Sequence, residues 1–511
     1  MAHGSRDEAS LPPAVYALAA GVLLLHALTG GRYGLFRDEF YYLACADHLD
    51  WGYVDHPPLS IAVLWAVKGL LGDSLPAIRL VPALCGAALV LLGAFLAREL
   101  GGGRFARTLA ALCVAIAPQY LGITGFYSMN AFDLLFWSLA ALVVIRLVRT
   151  DDPRLWIAFG AISGLALLNK ISLLFFAAGL AVAVVLTPLR RHLLRPQLWL
   201  GALLAMALFA PHLLWQVRHE WPTLEFMRNA QRYKIASLSP LQFLGAQVME
   251  IHPLNLPLWL GGLVFLALHR EGRRFRALAI VYLAALGLMI VQKSKAYYLG
   301  AAYPMLLAAG AVWAERLLAR LASPWPRRAL VGALGLGGLA SAPFAVPVLP
   351  VETLIAYQRA LGRSPAAAEN QHLGPLAQHF ADRFGWRELT AAVASVVQGL
   401  PEDERRSVLI VTSNYGEAGA INYYGRQLGL PPAVSQHNSF YLWGPGRTEP
   451  RMFVMVGSSA EDLQESFESV APAARVVAPY AMPYETEDPI HVCRGLRIPL
   501  GEAWRRGKLF I

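Results

Sequence analysis

Cysteine is scarce in this sequence and charge is thin. Four cysteines occur among 511 residues, none in a CxxC pair. A disulfide-stapled scaffold and a cysteine-based zinc site are therefore excluded. Only 15% of residues are charged against 56% hydrophobic, a ratio incompatible with disorder, a collagen repeat or a charged coiled coil. A single water-soluble core is hard to reconcile with it too, because soluble domains run at about 25% charged. No internal repeat or low-complexity tract occurs. The N-terminus also lacks the positive stretch of a cleavable signal: Arg6, Asp7 and Glu8 precede its first apolar run. Residues 13–30 therefore read as a membrane helix that is retained.

What is present is a succession of apolar stretches. A membrane span needs about 20 mostly apolar residues. Eleven candidates lie near 13–30, 77–97, 106–121, 131–149, 154–168, 171–188, 198–217, 255–269, 277–292, 298–315 and 329–346. The net charge of +10 is unevenly placed. Residues 1–346 hold 29 Lys/Arg against 17 Asp/Glu, and residues 347–511 hold 15 against 17. The excess lies between apolar stretches, which marks membrane topology and excludes a nucleic-acid footprint. Five connections are rich in arginine: Arg98/Arg104/Arg107, Arg146/Arg149/Arg154, Arg190/Arg191/Arg195, Arg270/Arg273/Arg274/Arg276 and Arg316/Arg320/Arg327/Arg328. The intervening short connections carry only Lys170, Lys293 and Lys295. The positive-inside rule puts the arginine-rich set in the cytoplasm. With an odd number of spans, the N-terminus is then cytoplasmic and residues 347–511 lie outside.

The expected architecture is a polytopic α-helical membrane protein of eleven to thirteen spans, over residues 1–346, with outward loops 31–76 and 218–252. Leu59–Leu71 within the first loop is too short to span and reads as an interfacial helix. Residues 347–511 form a C-terminal extracytoplasmic α/β domain. Its strands are expected at Val408–Val411, Met452–Val456 and Arg475–Val477, with helices near 376–399, 417–428 and 460–470.

Chemistry-bearing residues gather on the outward side. Asp38 and Glu39 follow the first span in Arg37-Asp38-Glu39-Phe40-Tyr41-Tyr42, and Asp55-His56-Pro57-Pro58 comes later in that loop. Adjacent carboxylates at a membrane surface suit general-base work, or else cap a helix. Asp133 follows Asn130 at the outward end of the fourth span, where an ionisable residue is a functional candidate or an N-cap. Lys170 lies between two spans on the side that disfavours lysine. Lys293 and Lys295 form a similar pair ahead of Tyr297 and Tyr298, a cationic site or a snorkelling aromatic belt. Lysines and His56 opposite carboxylates suit an anionic, phosphorylated substrate at the membrane. In the tail, Asn414-Tyr415-Gly416-Glu417 and Phe440-Tyr441-Leu442-Trp443 are a sugar- or partner-binding surface, or a strand–helix turn with core aromatics. Core packing is favoured for them.

At these residues the chain resembles the GT-C class of lipid-linked-sugar glycosyltransferases, specifically the dolichyl-phosphate-mannose–protein mannosyltransferase and aminoarabinose transferase superfamily, glycosyltransferase family 39. The resemblance rests on Asp38-Glu39, Tyr53-Val54-Asp55-His56-Pro57-Pro58-Leu59, Asp133, Gly164-Leu165-Ala166-Leu167-Leu168-Asn169-Lys170, and Lys295-Ala296-Tyr297-Tyr298-Leu299 leading to Tyr303-Pro304. It covers roughly residues 12–320.

The resemblance implies inverting transfer of a sugar from a polyprenyl-phosphate donor to a lipid, glycan or protein hydroxyl, at the outer face of the cytoplasmic membrane. Asp38 is the implied base, and Glu39 and Asp133 its supports. Tyr41, Tyr42, Asp55, His56, Lys170, Lys293, Lys295 and Tyr298 are the implied substrate-binding set. No nucleotide sugar is required, and Asp55 with His56 are the candidate ligands of a divalent cation. Two positions depart from the aminoarabinose transferases: Tyr41 replaces an arginine and His56 a lysine. Both changes remove fixed positive charge, which argues against lipid A and aminoarabinose as substrates and for tighter donor binding at mildly acidic pH. A transporter or flippase for an anionic lipid is the alternative of a different class. The absence of inverted repeats and the clustering of ionisable residues at one face weigh against it. A non-catalytic scaffold acting through the tail is the other.

Overall fold

A computed structural model of the chain describes residues 10–365, 369–446 and 449–511. Arg6, Asp7 and Glu8, on which the retained N-terminal helix partly rests, lie outside the described residues. The chain forms two compact units. The first comprises residues 1–31, 76–214 and 237–350; the second comprises 32–75, 215–236 and 351–511.

The first unit is helical throughout. All eleven apolar stretches are helical, from Pro13–Thr29 to Trp325–Ser341. Pro118 splits the third into Arg104–Ala115 and Pro118–Ile123, because a proline cannot donate into the preceding turn. By length and composition four helices among the described residues can cross a membrane unaided: Leu75–Glu99, Met129–Thr150, Pro196–Arg218 and residues 273–291. The bent pair Leu173–Leu186 and Pro188–Leu194 is a fifth if taken as one span. Helix packing uses small residues to bring backbones close. A Cβ on Gly262 would stand 2.1 Å from the Leu306 carbonyl oxygen, and one on Gly310 1.9 Å from that of Leu258. These two glycines seat helix Leu256–Ala267 against Tyr303–Leu318.

Ion pairs gather all five arginine-rich connections at one end of this unit. Glu99 is paired with Arg98 at 3.1 Å, Arg146 at 3.4 Å and Arg149 at 2.5 Å. Asp151 receives Arg191 at 2.5 Å, and Glu271 receives Arg316 at 2.5 Å. Glu315 accepts the backbone N–H groups of Gly103 at 2.7 Å and Ala106 at 3.1 Å. The alternation read from charge is thus a physical grouping of these connections.

The second unit carries a five-stranded sheet in the order β2-β1-β3-β5-β4. Its strands are β1 Val408–Thr412, β2 Ala433–Ser435, β3 Met452–Val456, β4 Phe467–Arg475 and β5 Pro489–Leu496. The first three are mutually parallel, whereas β5 runs antiparallel to both β3 and β4. Leu409, Val411, Phe453, Phe467 and Cys493 share one core cluster.

Two expectations need correction. The helix placed at 460–470 ends at Ser466, and the strand placed at 475–477 is Phe467–Arg475. β4 is an edge strand whose exposed residues are mostly polar or small, so no apolar run announces it. Pro472 sits beside its bulge, where a missing donor is tolerated. Leu59–Leu71 is a helix that buries Ser60, Ile61 and Leu64 and leaves Trp65, Leu70 and Leu71 exposed.

Candidate active site

In the second unit, helix Arg37–Asp47 positions Asp38. The helix starts where it does because Glu39 reaches back. Its carboxylate Oε2 accepts the Phe36 N–H at 2.8 Å, and the Glu39 N–H donates to the Phe36 carbonyl at 2.8 Å. Such a reciprocal cap satisfies donors that the first helical turn leaves open. Glu39 is fully buried, whereas the Asp38 side chain is 36% exposed. Of the two neighbouring carboxylates, one is structural and one is accessible.

Asp38 is held from two sides. The Tyr415 hydroxyl donates to its Oδ1 at 2.8 Å, and the Arg37 guanidinium stands 3.8 Å from the same oxygen. Tyr415 opens helix Tyr415–Tyr424, whose first N–H groups are capped by Asn414: Oδ1 accepts from Gly416 at 2.8 Å and Glu417 at 3.1 Å. That helix lies directly on Arg37–Asp47. A Cβ on Gly419 would meet the Phe40 Cβ at 2.7 Å, so glycine is what lets Tyr415 reach Asp38. Arg37 in turn donates to the Tyr484 hydroxyl, and that hydroxyl donates to Asp382 Oδ1 at 3.3 Å. Burial drives the Asp382 carboxyl up to about 6, against the pull of Arg37. Arg37, Asn414, Tyr415 and Tyr484 line a cavity of about 200 Å³ with Lys234 and Glu369.

Tyr41, Tyr42, Asp55 and His56 form a second group in this unit. The Tyr41 hydroxyl donates to Asp55 Oδ1 at 2.8 Å, lies 2.7 Å from Ser439 Oγ and accepts the Ser439 N–H at 3.2 Å. Tyr41 thus ties the first loop to the tail. His56 is 1% exposed. It stacks on Tyr42 with centroids 4.8 Å apart and lies 4.9 Å from the Tyr53 ring. Its Nε2 stands 3.9 Å from Asp55 Oδ1. Among the described residues no third acidic, histidine or cysteine side chain joins this pair at metal-ligand spacing.

In the first unit, Lys170 and Asp133 come together. Lys170 ends helix Leu155–Asn169 in extended backbone, which swings its side chain toward helix Met129–Thr150. Its ammonium donates to Asn130 Oδ1 at 2.7 Å and stands 3.8 Å from Asp133 Oδ2. Asp133 Oδ1 accepts the Ser172 hydroxyl at 2.6 Å. The same ammonium lies 4.3 Å from the centre of the Tyr298 ring and 5.7 Å from that of Tyr297, within the range of a cation–π contact. The residues are nearly enclosed, Asp133 4% and Lys170 7% exposed. Lys295 is half-buried at the start of the turn Ala296–Ala302, and Lys293 is exposed with φ of 50°.

These two groups have complementary chemistries: an accessible carboxylate with a tyrosine donor, and a near-buried ammonium with an aromatic face. The first can accept a proton and the second can meet a phosphate. Of the residues singled out in the sequence, Asp133, Lys170 and Tyr298 lie together, whereas Asp38 belongs to the second unit; Ser439, Tyr484 and Asp382 are neighbours of the loop that the sequence did not mark. Asn414-Tyr415-Gly416-Glu417 is the strand–helix turn foreseen, with a hydroxyl aimed at Asp38. In the second tail motif Phe440 is buried, and Trp443 stacks on His48 with centroids 4.2 Å apart.

Residues 55–215 match the family described as dolichyl-phosphate-mannose-protein mannosyltransferase. That segment holds Asp55, His56, Asp133 and Lys170. The lipid A galacturonosyltransferase RgtD of Rhizobium johnstonii is 28% identical over 228 residues, 43% of this chain and 47% of that protein. The chain thus spans about half the length of the curated relative it matches. Among solved structures, ArnT from Cupriavidus metallidurans in the apo state is similar with a TM-score of 0.62 at 15% identity, over 93% of this chain and 97% of ArnT. ArnT bound to undecaprenyl phosphate gives a TM-score of 0.60 at the same identity and coverage.

Proposed function

The chain has the fold and the sequence signature of the GT-C glycosyltransferases, and on that premise we propose that it transfers a sugar from a polyprenyl-phosphate carrier to an acceptor hydroxyl, with inversion. The observation that carries this reading is the accessible Asp38 carboxylate, fixed by the Tyr415 hydroxyl at 2.8 Å. A carboxylate so oriented takes the proton of the acceptor hydroxyl as its oxygen attacks the anomeric carbon. The bond from that carbon to the phosphate oxygen breaks, and the polyprenyl phosphate leaves as an anion. Lys170 meets that charge, with Lys295, Lys293 and Tyr298 completing the phosphate site.

The two supporting roles are better filled differently from what the resemblance implies. Asp133 serves to orient Lys170, supported by their 3.8 Å separation. Glu39 serves the helix start, supported by its bond to the Phe36 N–H. Tyr41, Tyr42, Asp55 and His56 serve substrate binding, supported by the Tyr41 hydroxyl's 2.8 Å bond to Asp55 and the stacking of His56 on Tyr42.

The membrane is the cytoplasmic one, with the arginine-rich end inside and residues 347–511 outside. The named relative acts on lipid A, so a glycolipid hydroxyl is the first acceptor to test, ahead of protein and polysaccharide. The test uses protein in lipid nanodiscs, radiolabelled polyprenyl-phosphate sugars and an envelope extract. Release of polyprenyl phosphate coupled to label on the acceptor is expected from wild type and not from Asp38→Asn. Donor binding without turnover, for every donor and acceptor fraction, would leave a lipid transporter as the better account.

A further inference from the structure

The second unit holds a cluster outside this chemistry. β1 ends at Thr412, β3 ends at Val456 and β5 begins at Pro489, all at one end of the sheet's strands, with Thr412 paired to Val456 and Val456 to Ile490. From β1 the chain passes through helix Tyr415–Tyr424 to β2 on one side, while β3 lies on the other. A parallel sheet opens a crevice at such a switch point, beyond the carboxyl ends of its strands. Glu417, Glu485 and Asp488 meet there, each offering a carboxylate oxygen within 4.8 Å of the others. They are 1%, 5% and 7% exposed.

Donors do not account for this much buried negative charge. Glu417 is served by the Ser413 N–H, the Ser413 hydroxyl and the Asn414 amide, each at 2.8–2.9 Å. Asn414 also reaches Glu485 Oε1 at 3.1 Å. Glu485 Oε2, buried with them, has no hydrogen-bond partner among the described residues. Among the described residues none of the three carboxylates has a lysine, arginine or histidine within ion-pair distance. A buried carboxylate left unpaired is costly unless a cation or a proton neutralises it. Burial pushes all three carboxyls upward, and repulsion from their neighbours adds to it at Glu417 and Glu485.

We propose that Glu417, Glu485 and Asp488 bind one hard divalent cation, Ca²⁺ or Mg²⁺, that ties the turn at 483–488 to the start of helix Tyr415–Tyr424. The ligand set is oxygen only, which selects these ions over zinc or copper. Gly457 leaves the room: its φ is +74°, and a Cβ there would lie 2.8 Å from Glu417 Oε1. The ion anchors the first turn that also presents Tyr415, so its loss loosens the bond to Asp38. That last consequence alone rests on the proposed transferase reading.

The test uses the full chain in nanodiscs, stripped with EDTA, desalted and titrated calorimetrically with Ca²⁺ and with Mg²⁺. Tb³⁺ serves as a luminescent probe excited through neighbouring tyrosines. One equivalent per chain is expected, with affinity falling at least about tenfold in Glu485→Gln and in Asp488→Asn. Asp55→Asn is expected to bind as wild type does. No substitution at Glu417 is used, because that residue also holds the Ser413 N–H. Should both variants fail to fold, wild-type stoichiometry and tyrosine-sensitised Tb³⁺ emission decide. Absence of binding to wild type at millimolar Ca²⁺ and Mg²⁺ overturns the proposal and assigns a shared proton to the cluster. Binding lost in Asp55→Asn but kept in Glu485→Gln and Asp488→Asn overturns the location.

Discussion

The hydroxyl of Tyr415 donates to Asp38 Oδ1 at 2.8 Å, across 377 residues of sequence. The bond fixes one oxygen of a carboxylate whose side chain is 36% exposed. Tyr415→Phe keeps the ring against Tyr41, whose centroid is 4.7 Å away, and removes only the donor. We expect turnover to fall about tenfold, equivalent to about 1.4 kcal/mol, with the donor KM unchanged. Thermal unfolding should report a loss of about 1 kcal/mol. A KM rise without a kcat change would assign Tyr415 to binding instead.

Lys170 and Asp133 should behave as a buried pair. Removing one partner strands the other charge, so Asp133→Asn is expected to cost about 3–5 kcal/mol of stability. Asp133→Asn combined with Lys170→Met should recover most of that loss, a non-additivity read directly from a double-mutant cycle. Additive losses would show that the 3.8 Å separation carries no coupling.

Glu39 tests whether adjacency to Asp38 implies shared chemistry. Glu39→Ala removes the acceptor for the Phe36 N–H and should lower stability by about 1 kcal/mol, in the range of a lost cap. Activity per folded molecule should stay near that of wild type. A hundredfold loss of kcat in folded protein would return Glu39 to the catalytic set.

Asp382 gives the second unit a pH-dependent stability. Its folded carboxyl titrates at about 6, raised by burial from an ordinary value of 3.8. Between about pH 4 and 6 the folded state holds a proton that the unfolded state has released. Stability from this group therefore falls as pH rises through that window and is level above it, with a slope of at most about 1.4 kcal/mol per pH unit. Asp382→Asn should flatten that component. Melting curves of wild type and variant at pH 4.5, 5.5 and 6.5 would show their difference widening upward, and parallel shifts would refute the assignment.

Much of the helical architecture was readable because hydrocarbon demands long apolar stretches and because arginine marks alternate connections. Glu99, Asp151, Glu271 and Glu315 then turn those connections into one ionic end. β1 and β3 were readable as β-branched and apolar runs. β4 was not, since an edge strand needs no continuous apolar face, and β2, Ala433–Ser435, is too short to leave a period. Asp38 and Lys170 stood out as ionisable residues in costly places. Their neighbours did not: Tyr415 and Ser439 reach Asp38 and Tyr41 through packing of distant segments, which no local spacing encodes. The same holds for Glu417, Glu485 and Asp488, ordinary surface residues in sequence that one end of the sheet buries together.

The central claim is a division of labour between a carboxylate that performs chemistry and a lysine that holds phosphate. It is tested most directly by measuring donor affinity and single-turnover transfer, in nanodiscs, for wild type, Asp38→Asn and Lys170→Met with one polyprenyl-phosphate sugar. The account predicts that Asp38→Asn binds donor within about twofold of wild type yet transfers at least about a hundredfold more slowly, the scale of a lost general base. Lys170→Met should weaken donor binding by about tenfold or more, as expected when a charge-assisted contact is lost. Transfer by Asp38→Asn at the wild-type rate would contradict it.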